Sequence, residues 1–213
     1  MIVGDGWTHY YYPGTRLLKN KLGLRDPDEL SRAEVALSAV RAATYRDKYR
    51  PTSFTFETMA HMHRWLFQDI YDWAGQVRTG PRTGVVVKEH DGKPQAYLPW
   101  SRLYTAVDYQ FGMLADEHFL QHLGREELVG RLAFHWAEIN LIHPFREGNR
   151  RTQLLFFSEL LDRAGYELHL ERLRFGNPER EEFIAARFEA MRTAESSRLE
   201  SLLARLISAE DWE

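Results

Sequence analysis

The feature that most restricts how this chain can fold is a short break between two apolar helical stretches. Residues 126–141 place Leu128, Leu132, His135 and Trp136 on one stripe, and residues 150–163 resume the helical period until Gly165. Between them stands His143-Pro144-Phe145-Arg146-Glu147-Gly148-Asn149-Arg150-Arg151. Pro144 has no N–H and restrains His143 to extended geometry, so the first helix must end there. Gly148 lets the backbone turn, and Asn149 is suited to cap the helix that follows. The expected local structure is a helix–loop–helix.

Most of the remaining sequence shows the same helical period. A helix opens at Asp28 and runs to about Arg50, with Leu30, Ala33, Leu37 and Val40 as its buried face. Thr55 caps a second, in which Phe56, Met59, His63, Leu66 and Phe67 share a face as far as Trp73-Ala74-Gly75. Further helices are expected over about 102–120 and in a C-terminal region from Pro178 to the end. The character changes only between Gly80 and Pro99. There Val85-Val86-Val87 is β-branched, Asp91-Gly92 signals a hairpin turn, and Gln95-Ala96-Tyr97-Leu98 returns beside it. The fold class is mostly α with one small β-hairpin, read as a single domain over 1–213 with its core at about 7–175.

Composition excludes several classes. The chain has 213 residues, a formal charge of −3 and no cysteine, which removes disulfides, thiolate metal sites and a cysteine nucleophile. Near-neutral charge argues against a sequence-independent grip on nucleic acid, and no apolar run approaches the roughly 20 residues of a membrane span. Met1-Ile2-Val3-Gly4-Asp5 lacks a secretory start, so cytoplasmic residence is the expectation. His118 and His122 stand four apart, but Glu117 precedes the pair and no glutamate follows the first histidine, so they read as ordinary surface or partly buried residues. His61 and His63 face opposite sides of their helix and read as packing or solvent residues. Trp7 with Tyr10 to Tyr12 reads as an aromatic anchor for the N-terminus.

The chemistry concentrates at the break. Free amides at a helix N-terminus, with Arg150 and Arg151 beside them, suit a phosphate. Glu147 offers a hard oxygen ligand for a magnesium ion bridging phosphate oxygens. His143 can take a proton from an attacking hydroxyl near neutral pH. Together these parts describe transfer of a phosphorus group to a hydroxyl.

The same nine residues resemble the signature loop of the Fic (Fido) domain family. The resemblance extends through Tyr12-Pro13-Gly14-Thr15, Leu18-Lys19-Asn20-Lys21 and Ile70-Tyr71-Asp72-Trp73-Ala74-Gly75-Gln76-Val77-Arg78. It implies a helical core with a catalytic His143 and a magnesium-binding Glu147. Gly148, Asn149, Arg150 and Arg151 would bind the nucleotide, ATP, and AMP would pass to a Ser, Thr or Tyr hydroxyl of a target protein. The hairpin at about Gly84 to Leu98 matches the family's flap, whose Val85, Val86, Val87 and Lys88 would pair with an extended target segment.

Two positions depart from the AMP-transferring pattern: Arg150 replaces a glycine and Leu154 replaces an arginine. A branch resembling the toxin Doc carries a lysine at the first position, lacks the second arginine and transfers the terminal phosphate of ATP. Three readings stay open: an adenylyltransferase, a protein kinase of the Doc kind, and a catalytically weakened binding module. Self-inhibiting members carry a Ser/Thr-x-x-x-Glu-Gly/Asn helix. Ser196 to Glu200 has that spacing but continues with Ser201, so inhibition is expected from a small separate antitoxin.

Overall fold

The structure, a computed structural model, describes residues 5–81 and 84–209. Met1 to Gly4, where most of the missing secretory start was read, and the last four residues of the C-terminal region lie outside the described residues. After a 3-10 turn at Asp5–Tyr10, α1 (Pro27–Ala43) begins at Asp26, whose carboxylate accepts from the N–H groups of Asp28 and Glu29 at 2.9 Å each. It stops at Ala43 rather than near Arg50, and α2 (Tyr45–Lys48) adds one more turn. Its expected apolar face is only partly correct: Leu30 is buried, but Val40 is 63% exposed. The helix instead turns Glu34, Ser38 and Arg41 inward, where Arg151 and Asp69 provide partners.

α3 (Phe56–Phe67) starts at Thr55, whose Oγ1 accepts from the Thr58 N–H at 3.5 Å. It ends at Phe67, short of Gly75, because the Ile70 and Tyr71 amides both turn back to the Phe67 carbonyl and tighten the chain into turns. The expected hairpin is present as β1 (Val87–His90) and β2 (Lys93–Ala96), antiparallel, with Val87 opposite Ala96. Asp91 and Gly92 both have positive φ, as a tight hairpin turn requires. α4 (Leu103–Asp116) ends before Leu120, since His118, Phe119 and Leu120 take left-handed backbone. His118 and His122 therefore share no helix, and both are exposed.

α5 (Arg125–Ile142) and α6 (Asn149–Arg163) flank the motif loop. They are followed by β3 (Tyr166–Leu168), α7 (Pro178–Thr193), α8 (Ser197–Leu206) and β4 (Ile207–Ala209). β4 pairs antiparallel with β3, a second strand pair absent from the sequence reading because three residues show no usable alternation. α5 buries residues all round its circumference, Leu128, Leu132, Trp136 and Ile139 among them, and packs against α4, α6, α7 and α8. Trp136 stacks on Phe157 of α6 at 4.4 Å and meets the edge of Phe183 of α7 at 5.1 Å. Removing such a ring costs about 3–5 kcal/mol, so α5 and α6 form a rigid base for the loop between them. Trp7 and Tyr10 pack with Val86 and Tyr97 in a smaller cluster under the hairpin, the aromatic anchor expected of the N-terminus.

Candidate active site

His143 closes α5 in left-handed backbone, φ 49 and ψ 61, not in the extended geometry expected before a proline. Its N–H completes the helix on the Ile139 carbonyl at 3.1 Å, and its own carbonyl accepts from Arg78 Nε at 2.7 Å. The tertiary bonds thus override the local preference. The imidazole stacks on Tyr97 with ring centres 3.7 Å apart, and neither ring nitrogen has a hydrogen-bond partner among the described residues. Burial pushes its proton affinity down, and Lys88, Arg78, Arg187 and Arg146 push it further the same way. The ring is neutral at pH 7 and free to accept a proton.

Glu147 Oε1 accepts from the Gly148 N–H at 3.0 Å, and Oε2 faces Lys88 Nζ of the flap at 3.9 Å. Burial alone would raise its proton affinity; Lys88, the Gly148 amide, Arg151 and Arg146 outweigh it and hold the carboxyl below its usual range. Gly148 has φ +82, and a Cβ there would fall inside the Phe67 ring, so the turn demands glycine twice over. Asn149 does not cap α6. Its Oδ1 accepts from the Phe145 N–H at 3.0 Å and its Nδ2 donates to the Phe145 carbonyl at 2.7 Å, which braces the loop from inside.

His143, Glu147 and Gly148, but not Asn149, border a cleft of about 340 Å³ between the motif loop, α1, α7 and the flap. Arg150 lies on its wall with no hydrogen-bond or ionic partner among the described residues. Arg151 is held: Nη2 donates to Glu34 Oε2 at 2.7 Å and Nη1 to Ser38 Oγ at 3.1 Å. Lys88, Arg150, Arg151 and Arg187 face the cleft against two carboxylates, Glu34 and Glu147, a surplus suited to an anion. Leu154 packs half-buried on the core and offers the cleft no charge. Among the described residues no three His, Asp or Glu side chains gather as a metal cage. Glu147 with phosphate oxygens and water is nevertheless the donor set magnesium commonly takes, so the residues present fit that ion. On the flap, Val86 is buried and its carbonyl accepts from the Tyr97 N–H at 2.9 Å, so it faces β2. Val87, in the next, alternate pair, turns its N–H and carbonyl to the open edge. Lys88 of β1 and Val85, two residues before the strand begins, are half-buried.

Three supporting residues escaped the sequence reading. His63 Nδ1 accepts from the Gly75 N–H at 2.7 Å while Nε2 bonds the Glu147 carbonyl at 2.9 Å, fixing one neutral tautomer under the loop. Arg78 is fully buried and its guanidinium reaches the carbonyls of His143, Ile142 and Leu98. Glu34 accepts from Tyr71 as well as from Arg151. The Ile70 to Arg78 segment was singled out as a whole, without a role for either residue it contributes. Glu200 lies beside Gly130, near the start of α5 and about 20 Å along that helix from His143.

Fold and site together define a helical domain with an anion cradle at a helix–loop–helix, roofed by a two-stranded flap. The chain belongs to the Fic/DOC family, whose description matches residues 53–161. It is 34% identical over 165 residues to a Salmonella typhimurium protein called "Probable protein adenylyltransferase Fic", covering 78% of each chain. An Escherichia coli protein of the same description is 33% identical over the same shares. The crystal structure of the BepC protein of Bartonella tribocorum, with bound AMPPNP, superposes with a TM-score of 0.84 over 98% of this chain and 100% of that one. At 21% identity that likeness shows the fold.

Proposed function

We propose that this chain is a protein adenylyltransferase, transferring AMP from ATP to a Ser, Thr or Tyr hydroxyl of a target protein. The observation that carries the reading is His143, a buried neutral imidazole with both nitrogens free on the wall of a cationic cleft. The target's hydroxyl oxygen bonds to the α-phosphorus, the bridging bond to the β-phosphate breaks, His143 takes the hydroxyl proton, and pyrophosphate leaves. Gly148, whose own N–H is held by Glu147, turns the chain so that the first turn of α6 presents its backbone amides to the phosphates, and Arg150 and Arg151 add charge. Glu147 would hold magnesium, which would supply positive charge to neutralise the phosphates. Val87, at the open edge of β1, receives an extended target segment by strand addition. The names of the Salmonella and E. coli relatives support the same activity.

Supplying ATP labelled at the α- or the γ-phosphate tests the reading. Label from the α position should reach target protein and vanish with His143→Ala. Equal labelling by the two proteins would end the mechanism. A second reading, transfer of the γ-phosphate, draws on Arg150 and on the uncharged Leu154, and γ-label in the target would select it. No label from either position, with target still bound, would select the docking module. The same reading places the protein in the cytoplasm as the toxin of a pair, and the distance of Glu200 from the cleft accords with restraint by a small separate antitoxin rather than by that residue. The structure has no helix, among the described residues, long and apolar enough to cross a membrane.

A further inference from the structure

One wall of the cleft carries a cation that the motif loop does not supply. Arg187 of α7 is only 7% exposed, yet its guanidinium meets neutral atoms alone. Nη2 donates to Asn140 Oδ1 and, at 3.1 Å, to Gln153 Oε1, and the group lies 5.2 Å from the centre of the Phe183 ring. Among the described residues Nε is buried without an acceptor, and Nη1 has none either. Gln153, 1% exposed, leaves its Nε2 unpartnered beside it. Two enclosed carboxylates are paired, Glu159 with Arg46 at 2.5 Å and Glu34 with Arg151 at 2.7 Å, while Arg78, enclosed like Arg187 without a carboxylate but not bordering the cleft, gives its guanidinium to three backbone carbonyls. An enclosed cation with no carboxylate is costly unless an anion completes it.

We infer that Arg187 is a phosphate-binding residue, whose guanidinium takes oxygens of the ATP polyphosphate and supplies from α7 the positive charge that Leu154 does not. Asn140 of α5 and Gln153 of α6 hold the fork through one nitrogen, which leaves Nη1 and Nε for the ligand. Burial and Arg150 lower its proton affinity to about 10 against the opposing pull of Tyr97, so it stays charged at neutral pH. Arg150 lines the same cleft, with Glu147 and Glu181 near it but no carboxylate in hydrogen-bond contact among the described residues. The two side chains approach the polyphosphate from different helices, and neither position requires an arginine at 154.

The inference rests on the cleft being the nucleotide site, and its test separates the two. Calorimetric titration of the protein with adenosine, AMP, ADP and ATP should show Arg187→Met weakening ATP about 10- to 150-fold while adenosine changes less than about twofold. A merely structural arginine would weaken all four alike, and that result would overturn the assignment. So would unchanged ATP affinity in the variant. Failure of the unaltered protein to bind any of the four would instead refute the nucleotide reading, and the inference with it. Should Arg187→Met not fold, the unaltered protein decides. Its Arg187 Nε–H resonance, assigned by its loss in Arg187→Lys, should shift on saturation with inorganic tripolyphosphate, and a resonance that stays in place would overturn the proposal.

Discussion

Glu34 on α1 accepts a hydrogen bond from Arg151 on α6 at 2.7 Å, across 117 residues of chain. The pair sits on the cleft wall, so this carboxylate cancels part of the charge that Arg151 brings to the cleft. Glu34→Gln keeps the shape and an acceptor for Tyr71 but removes the charge. ATP affinity should rise about three- to tenfold, more at low salt than at high, because an anion has been taken from beside an anionic ligand. Calorimetry at two ionic strengths checks it, and weaker binding would mean that orientation of Arg151 outweighs its neutralisation.

His63 gives a pH dependence of stability. Burial, the first of its causes, lowers its proton affinity to about 3, with Arg151 acting in the same direction and Glu147 opposing. Protonation would place a hydrogen on Nδ1, where the Gly75 N–H now donates. The unfolded chain therefore binds more protons below about pH 6.5, and this contribution to stability, complete above that value, is lost progressively as pH falls toward 3. Its slope in that window is about 1.4 kcal/mol per pH unit. Urea unfolding between pH 5.5 and 4 should show His63→Gln with a slope shallower by nearly that amount. Parallel slopes would count against the assignment.

Gly148→Ala should both destabilise the protein and abolish transfer. The new methyl group meets the Phe67 ring at a backbone angle that L-residues rarely adopt. We expect a loss of about 2–4 kcal/mol, roughly 5–15 °C in Tm. Calorimetric melting settles the first part and the α-label assay the second. A normal Tm would show that the loop relaxes.

The flap prediction turns on which residue faces outward. Val87→Pro removes an N–H from the open edge of β1, whereas Val87→Ala keeps it. Target labelling should fall at least tenfold with proline and less than threefold with alanine, with ATP binding unchanged in both. Pro94, opposite Glu89, already blunts the far edge of β2, which leaves β1 as the edge available for pairing. Equal effects of the two substitutions would show that the side chain, not the backbone, recognises the target.

What the sequence revealed and what it concealed follows from range. Asp91-Gly92, Thr55 and the glycine at 148 act within a few residues of themselves, and each stands where a local reading put it. The break at 143–149 located the site for the same reason. Asn149 was read as a cap because its type suits one, but Phe145 claims both ends of its amide. Val40 was read as buried because periodicity assumes that the inward stripe is apolar. On α1 that stripe is Glu34, Ser38 and Arg41, and their partners are remote in sequence. His63 meets Glu147 across 84 residues, Arg78 meets His143 across 65, and Arg187 meets Asn140 across 47. Such pairings leave no periodic trace.

Arg78 has a mechanical meaning beyond its hydrogen bonds. One side chain ties the Leu98 carbonyl, at the root of the flap, to the carbonyls of Ile142 and His143, and its backbone N–H adds Pro144 at 2.8 Å. The roof and the residue beneath it are thus hinged on a single rigid plane. The hairpin root and the backbone that carries the imidazole therefore share one clamp, and a displacement of either would load the same guanidinium.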